Sequence, residues 1–397
     1  MTVEAELDPV LFAPEPAPRE IRYTVISVDD HLVEPPGMFE GRLPARLQDR
    51  APRVVETPEG HQVWEFDGNR YTQVGMNAVA GRRPESVAVE PFRFDQMRPG
   101  CWDIHARIRD MDINGVWASL SFPSQITGFC GRVFSTAGDP ELGLATTRAW
   151  NDWLFEEWYS PYPDRVIPLG ITYLADPAAG AAEIRRNAER GFKSVALPER
   201  PHRIGLPSIF DEYWKPIIEA CAETQTVISL HVGSSGIADL PAGSPAMVLG
   251  ATLFGQLSLT ACAEWLWSGW SLRHPELKIA MSEGGIGWVA MLLDRLDNLV
   301  DRSGYGLGWA VRPADVLKDT FWFCTIDDPS TIETRHRIGV DHIMVETDYP
   351  HGDGTWPDTQ ELIERVWGHI PPDELRAMCS GNAARLFRHP LPDTVRP

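Results

Sequence analysis

Short apolar runs rich in β-branched residues recur along this chain, separated by longer stretches with helical periodicity. Eight such runs can be counted: Tyr23 to His31, VWASLSF (Val116 to Phe122), VIPLGITY (Val166 to Tyr173), KSVALPE (Lys193 to Glu199), VISLHVG (Val227 to Gly233), KIAMSE (Lys278 to Glu283), TFWFC (Thr320 to Cys324) and IMVETD (Ile343 to Asp348). Between them lie amphipathic segments such as PAAGAAEIRRNAERG, with Gly191 as its stop, and FDEYWKPIIEACAET. Strand-helix alternation of this kind demands parallel strands joined by crossover helices. Eight units are the number that closes a barrel, so the pattern predicts an α/β fold of the (β/α)8 TIM-barrel type rather than an open doubly wound sheet. No G-x-G-x-x-G follows the first run, which weakens a dinucleotide-binding reading further.

The stretch 32–105 breaks the repeat. VVETPEGHQVWEFDGNRYTQV reads as a β-hairpin turning at Pro58-Glu59-Gly60, which predicts an insertion after the first strand that lies over the barrel mouth. The barrel is expected over 23–388 with this insertion included, preceded by a flexible arm over 1–22 and followed by a tail over 389–397. With 397 residues, 43% of them hydrophobic, the chain can bury a core of that size. Its 36 basic and 56 acidic residues give a net charge of -20, which repels phosphate backbones and anionic membrane surfaces. Neither nucleic acid nor a membrane is expected as a partner, and no stretch approaches the roughly 18 apolar residues of a membrane span. The N-terminus has acidic residues and prolines where a signal peptide needs positive charge and an apolar run. The six cysteines are widely separated, as reduced core residues of a cytoplasmic protein would be.

In a barrel the C-terminal ends of all strands share one rim, and polar residues at those ends converge. The first run ends in Asp29-Asp30-His31, where alternation sends Asp29 and His31 to one side and Asp30 to the other. The fifth ends in His231, the sixth in Glu283 and the eighth in Asp348. Asp29, His31, His231 and Asp348 form a sensible ligand set for one divalent ion, Zn²⁺ first and Mn²⁺ as the other candidate. Groups this costly to bury need such a partner. A turn before Pro35-Pro36 would account for Asp29 and His31 alone, and a cap would account for Asp348. His231, between Val-Ile-Ser-Leu and Val-Gly, has no solvent-facing alternative.

These residues, in this order, resemble the amidohydrolase-related family, the branch of the metal-dependent hydrolase superfamily that includes the aminocarboxymuconate-semialdehyde and γ-resorcylate decarboxylases. The positions matching the family's opening H-x-H read Asp29-Asp30-His31, and its next histidine matches His231. HPELKIAMSEGGIGW (His274 to Trp288) follows, then D-Y-P-H at Asp348 to His351, and SGNAARLF (Ser380 to Phe387) is similar to the closing helix. The resemblance spans residues from about 23 to 388. Two positions depart from the pattern: Asp29 stands for a histidine, giving a harder site, and Glu283 stands where the decarboxylases carry a catalytic histidine.

What the resemblance implies is a metal-dependent decarboxylase acting on a small aromatic or unsaturated acid. The same residues also write a hydrolase of an ester, lactone or amide, and Glu283 invites a third reading, an altered member that binds a ligand without turnover. Asp348, Glu283 and His351 are the candidate catalytic groups. Glu34, Phe122, Trp288, Tyr349 and Trp356 are the candidate substrate contacts. Glu199, on the fourth run, is expected in an ion pair with Arg200 or Arg203. The family's barrels commonly pair, which implies a homodimer or higher homo-oligomer, with the C-terminal tail able to reach across.

Overall fold

The computed structural model describes residues 7–87, 90–304 and 308–397. Each of the eight runs supplies a parallel strand of a closed barrel. The strands are β1 (Val25–His31), then, after β2 (Arg53–Glu56), β3 (Gln62–Phe66) and β4 (Asn69–Tyr71) of the insertion, β5 (Val116–Phe122), β6 (Val166–Ile167) with β7 (Leu169–Gly170), β8 (Ser194–Leu197), β9 (Val227–His231), β10 (Ile279–Ser282), β11 (Phe321–Thr325) and β12 (Ile343–Val345). Ladders run β1-β5-β6 and β7-β8-β9-β10-β11-β12, all parallel. The third run is split into β6 and β7 at Pro168, which has no N–H to donate to a ladder.

Between β12 and β1 the barrel closes through backbone hydrogen bonds just past the end of β12: Asp348 N–H donates to Asp29 O (2.9 Å) and His31 N–H to Tyr349 O (2.6 Å). Asp30 fastens the same seam. Fully buried, it accepts from Ser27 Oγ (2.9 Å), Thr347 Oγ1 (2.6 Å), Tyr349 N–H (3.1 Å) and Ser119 Oγ of β5.

The crossover helices begin where the sequence supplies caps. Asp103, Asp139 and Asp176 each accept from the first-turn N–H groups of helices Ile104–Asn114, Pro140–Trp153 and Pro177–Glu189, and the latter two start with proline, whose missing N–H costs nothing there. Their apolar faces join the strands in one core that includes Trp150, Trp153, Trp214 and Trp265, all 2% exposed or less. The segment FDEYWKPIIEACAET becomes an α-helix only from Lys215, with Pro216 in its first turn.

In the insertion, β2, β3 and β4 form an antiparallel sheet with Glu56 opposite Gln62, and Gly60 takes a positive φ of 83° in the turn. Farther along the insertion, Val79 and Ala80 N–H both donate to Pro350 O (2.9 Å each), in the loop that follows β12.

The ends of the chain are held more closely than a flexible arm and a free tail would be. Phe12 is 2% exposed and Glu15 pairs with Arg98 at 2.8 Å; the arm before residue 7 lies outside the described residues. At the other end Pro390 O accepts from Trp117 Nε1 (3.1 Å) and Arg396 N–H donates to Thr24 Oγ1 (2.8 Å), so the tail packs on its own barrel. All six cysteines are buried free thiols. Among the described residues no helix is long and apolar enough to cross a membrane.

Candidate metal centre

The C-terminal ends of β1, β9 and β12 bring Asp29, His31, His231 and Asp348 together. His31 Nε2 lies 3.1 Å from His231 Nε2, 3.6 Å from Asp29 Oδ1 and 3.3 Å from Asp348 Oδ1, and His231 Nε2 is 3.6 Å from Asp29 Oδ2. His231 Nδ1 sits 2.6 Å from Val232 O; donating there puts the proton on Nδ1 and leaves the Nε2 lone pair facing the cluster.

All four side chains are nearly or wholly buried, yet neither oxygen of Asp29 receives a hydrogen bond, and outside the cluster's own imidazoles Asp348 is approached by the side chain of His351. Buried carboxylates without donors are costly. Donors bonded at 2.0–2.1 Å to a tetrahedral cation sit about 3.3 Å apart, the spacing this cluster already has. The donor set therefore fits one divalent cation, with two imidazoles suited to Zn²⁺ and two carboxylates suited to Mn²⁺.

Electrostatics point the same way. Burial drives the imidazoles toward the neutral form, His31 well below its usual range and His231 to about 3. It drives the carboxyls upward: Asp29 and Glu283 well above the usual range, with neighbouring carboxylates adding to the effect, and Asp348 to about 7 against the opposing pull of His351. Such a cluster holds protons that a cation would displace.

Two carboxylates and one aromatic ring around the centre sit on left-handed backbone: Glu283 (φ 60°), Asp348 (φ 51°) and Phe129 (φ 65°). Such positions cost about 1–3 kcal/mol for a non-glycine residue and gather at functional sites. Glu283, immediately after β10, reaches His231 Nε2 with Oε2 at 3.3 Å. His351 Nδ1 lies 2.9 Å from Asp348 Oδ1, and its ring stacks on His31 with centroids 3.9 Å apart. Burial opposes charge on His351, but Asp348 outweighs it and the imidazole is pushed upward.

Among the substrate candidates, Phe122 reaches the cluster, with its ring centroid 4.9 Å from that of His231. Trp288 lies one turn past Glu283, its indole N–H on Gly284 O (3.0 Å). The others are engaged elsewhere. Glu34 is fully buried and accepts from Trp150 Nε1 (2.9 Å) and from Ser124 N–H and Oγ, so its carboxylate is consumed by the scaffold. Tyr349 hydroxyl donates to Asp110, and Trp356 donates to Asp110 O (3.0 Å) under the Arg98 guanidinium, on the side away from the centre.

Glu199 also differs from expectation. Arg200 pairs with Glu264 (2.7 Å) and Arg203 with Asp239 (2.9 Å), and Glu199 has no ion pair among the described residues. Its Oε1 accepts from Gly233 N–H (3.0 Å), Oε2 has no donor, and burial raises its carboxyl to about 7.

Two residues of the centre were not singled out in the sequence. Phe129 packs its ring 5.0 Å from His231 and 5.8 Å from His31. Glu346 accepts from Glu283 N–H (3.1 Å), and burial raises it to about 8. Its signal was available: it lies two residues before Asp348, within the apolar run IMVETD that the sequence offers as the eighth strand.

The amidohydrolase family matches residues 50–389. The chain belongs to the amidohydrolase family. Its relatives of known structure share the barrel at low identity. An amidohydrolase from Mycobacterium avium subsp. paratuberculosis K-10 is 22% identical, with 93% of this chain and 100% of that one covered and a TM-score of 0.72. The 2,6-dihydroxybenzoate decarboxylase from Rhizobium is 17% identical over 92% of this chain and 99% of its own, TM-score 0.61. The 5-carboxyvanillate decarboxylase from Novosphingobium aromaticivorans, solved with manganese and 4-hydroxy-3-methoxy-5-nitrobenzoic acid, is 18% identical over 94% and 98%, TM-score 0.64. A comparison with curated proteins found no match. In this member of the family the cluster of Asp29, His31 and His231 with Asp348 beside it is a candidate site for one divalent ion.

Proposed function

We propose that this amidohydrolase is a carboxy-lyase that removes CO₂, without an oxidant, from a small aromatic or unsaturated carboxylic acid. The observation that carries the reading is His351 against Asp348 at 2.9 Å, beside the ligand cluster. Non-oxidative decarboxylation needs an acid that places a proton on carbon as the carbon–carbon bond breaks, and the bond's electron pair then stays with the protonated carbon while CO₂ leaves. A buried imidazole pushed upward by a carboxylate can hold that proton at neutral pH.

Asp29, His31, His231 and Asp348 would hold the divalent ion, which supplies Lewis-acid polarisation of a substrate oxygen. Phe122 and Phe129 form an apolar wall against the two imidazoles, suited to a flat ring. Glu283 sits where it can accept a proton from a substrate hydroxyl, with Glu346 fixing its backbone. The relatives that decarboxylate dihydroxybenzoate and carboxyvanillate on the same barrel support this choice.

The test is product analysis with Mn²⁺- or Zn²⁺-loaded protein on hydroxybenzoates and unsaturated acids. CO₂ release is expected. No CO₂ from any of them, together with a new carboxylic acid from an ester, lactone or amide, would replace the lyase with a hydrolase.

A further inference from the structure

A cavity of about 990 Å³ lies under the N-terminal arm, lined by Phe12, Arg83 and Arg98, and is remote from the chemistry. A second, of about 590 Å³, opens on the catalytic face. Its walls come from the loops after β5, β8 and β9, and include Arg132, Arg203, Ser235, Ile237 and Asp239. Two of those loops also build the metal centre. Arg132 follows Phe129, whose ring covers both ligand imidazoles, by less than one helical turn, and Ser235 follows His231 by four residues.

Arg132 is one of the residues that line this pocket. In a chain of 36 basic and 56 acidic residues, its guanidinium has no ion pair or side-chain hydrogen bond among the described residues. It folds back over Gly128, where a Cβ would stand 3.2 Å from Arg132 Nε. Across the pocket Arg203 is paired, among the described residues, with Asp239 alone, whose side chain is 99% exposed and free to turn into water. Ser235 Oγ accepts from Arg200 N–H (2.9 Å), which leaves its own proton to donate. A free guanidinium, a second one with a displaceable partner and a hydroxyl converge on one pocket, and each is a donor.

We propose that this pocket is an anion subsite that binds a second anionic group of the substrate, a carboxylate or a phosphoryl group, remote from the reacting carboxylate. It extends the carboxy-lyase reading by naming the far end of the substrate, and rests on that reading only for the near end. Two charge-assisted contacts in one open pocket give recognition that the apolar wall at the centre cannot supply.

Binding is measured by calorimetric titration of the full chain at low ionic strength, metal-loaded and metal-stripped, with inorganic phosphate and with propionate as probes. Saturable binding of either probe to both forms is expected, and the tighter probe identifies the group. Arg132→Gln should weaken it about tenfold or more, the loss of a charged hydrogen-bond donor, and Asp239→Asn should tighten it by releasing Arg203. No saturable binding to the metal-stripped protein, or equal affinity in Arg132→Gln, overturns the subsite. Because the readout is binding and not turnover, a failure to release CO₂ leaves this result standing, and the reverse holds too.

Discussion

Glu199 offers a measurable test of the electrostatics of the barrel rim. The carboxyl is 1% exposed, with one oxygen on Gly233 N–H and the other without a donor, and burial raises it from an ordinary 4.5 to about 7. Between those values the folded chain keeps a proton that the unfolded chain has released, so the stability this group contributes is complete below about pH 4.5 and lost as pH rises through about 7. At ~1.4 kcal/mol per pH unit the loss amounts to about 3 kcal/mol. Glu199→Gln keeps the acceptor for Gly233 and mimics the protonated acid, so it should remove the decline. Urea unfolding followed by tryptophan fluorescence, on metal-free wild type and variant at about pH 4.5 and about pH 8, isolates the effect, because the other buried carboxyls titrate in both proteins. The variant should gain about 3 kcal/mol relative to wild type across that interval. Parallel pH curves for the two proteins would refute the reasoning.

Other predictions follow from the centre and the seam. Protein expressed with added Mn²⁺ or Zn²⁺ should carry one ion per chain by elemental analysis, and less than about one ion per four chains would exclude a mononuclear site. Asp348→Asn should abolish turnover while circular dichroism stays unchanged; retained activity would remove Asp348 from the chemistry. Asp30→Ala strands the buried donors of Ser27, Ser119, Thr347 and Tyr349 and should cost about 2–4 kcal/mol in urea unfolding, with a loss below about 1 kcal/mol showing that the seam closes without it.

Much of this was legible in the sequence because strand period and strand order are local properties. Counting runs located the barrel, and alternation separated Asp29 and His31 from Asp30. Where the reading went astray, the deciding contact was distant in the chain. Glu34 is taken up by Trp150, 116 residues away, and Tyr349 by Asp110, 239 residues away. An aromatic next to a motif residue reads as a rim aromatic, but the turn after Asp348 carries Tyr349 to the opposite side. Arg200 and Arg203 adjoin Glu199 in sequence, yet each finds a carboxylate from another segment. Phe129 carries no motif at all; only its left-handed backbone, invisible in sequence, aims its ring at the imidazoles.

Asp30 sits between Asp29 and His31, and its acceptor bonds fasten β12 to β1 at the point where Asp348 enters the centre. The first and last of the four candidate ligands, Asp29 and Asp348, thus come from the two edges that meet at that seam. An ion bound there spans the one joint where the chain's first barrel strand meets its last, and acts as a rivet across it. Fluctuations that part the staves at this joint would also pull the candidate ligands apart, so a bound ion would hold the barrel closed there.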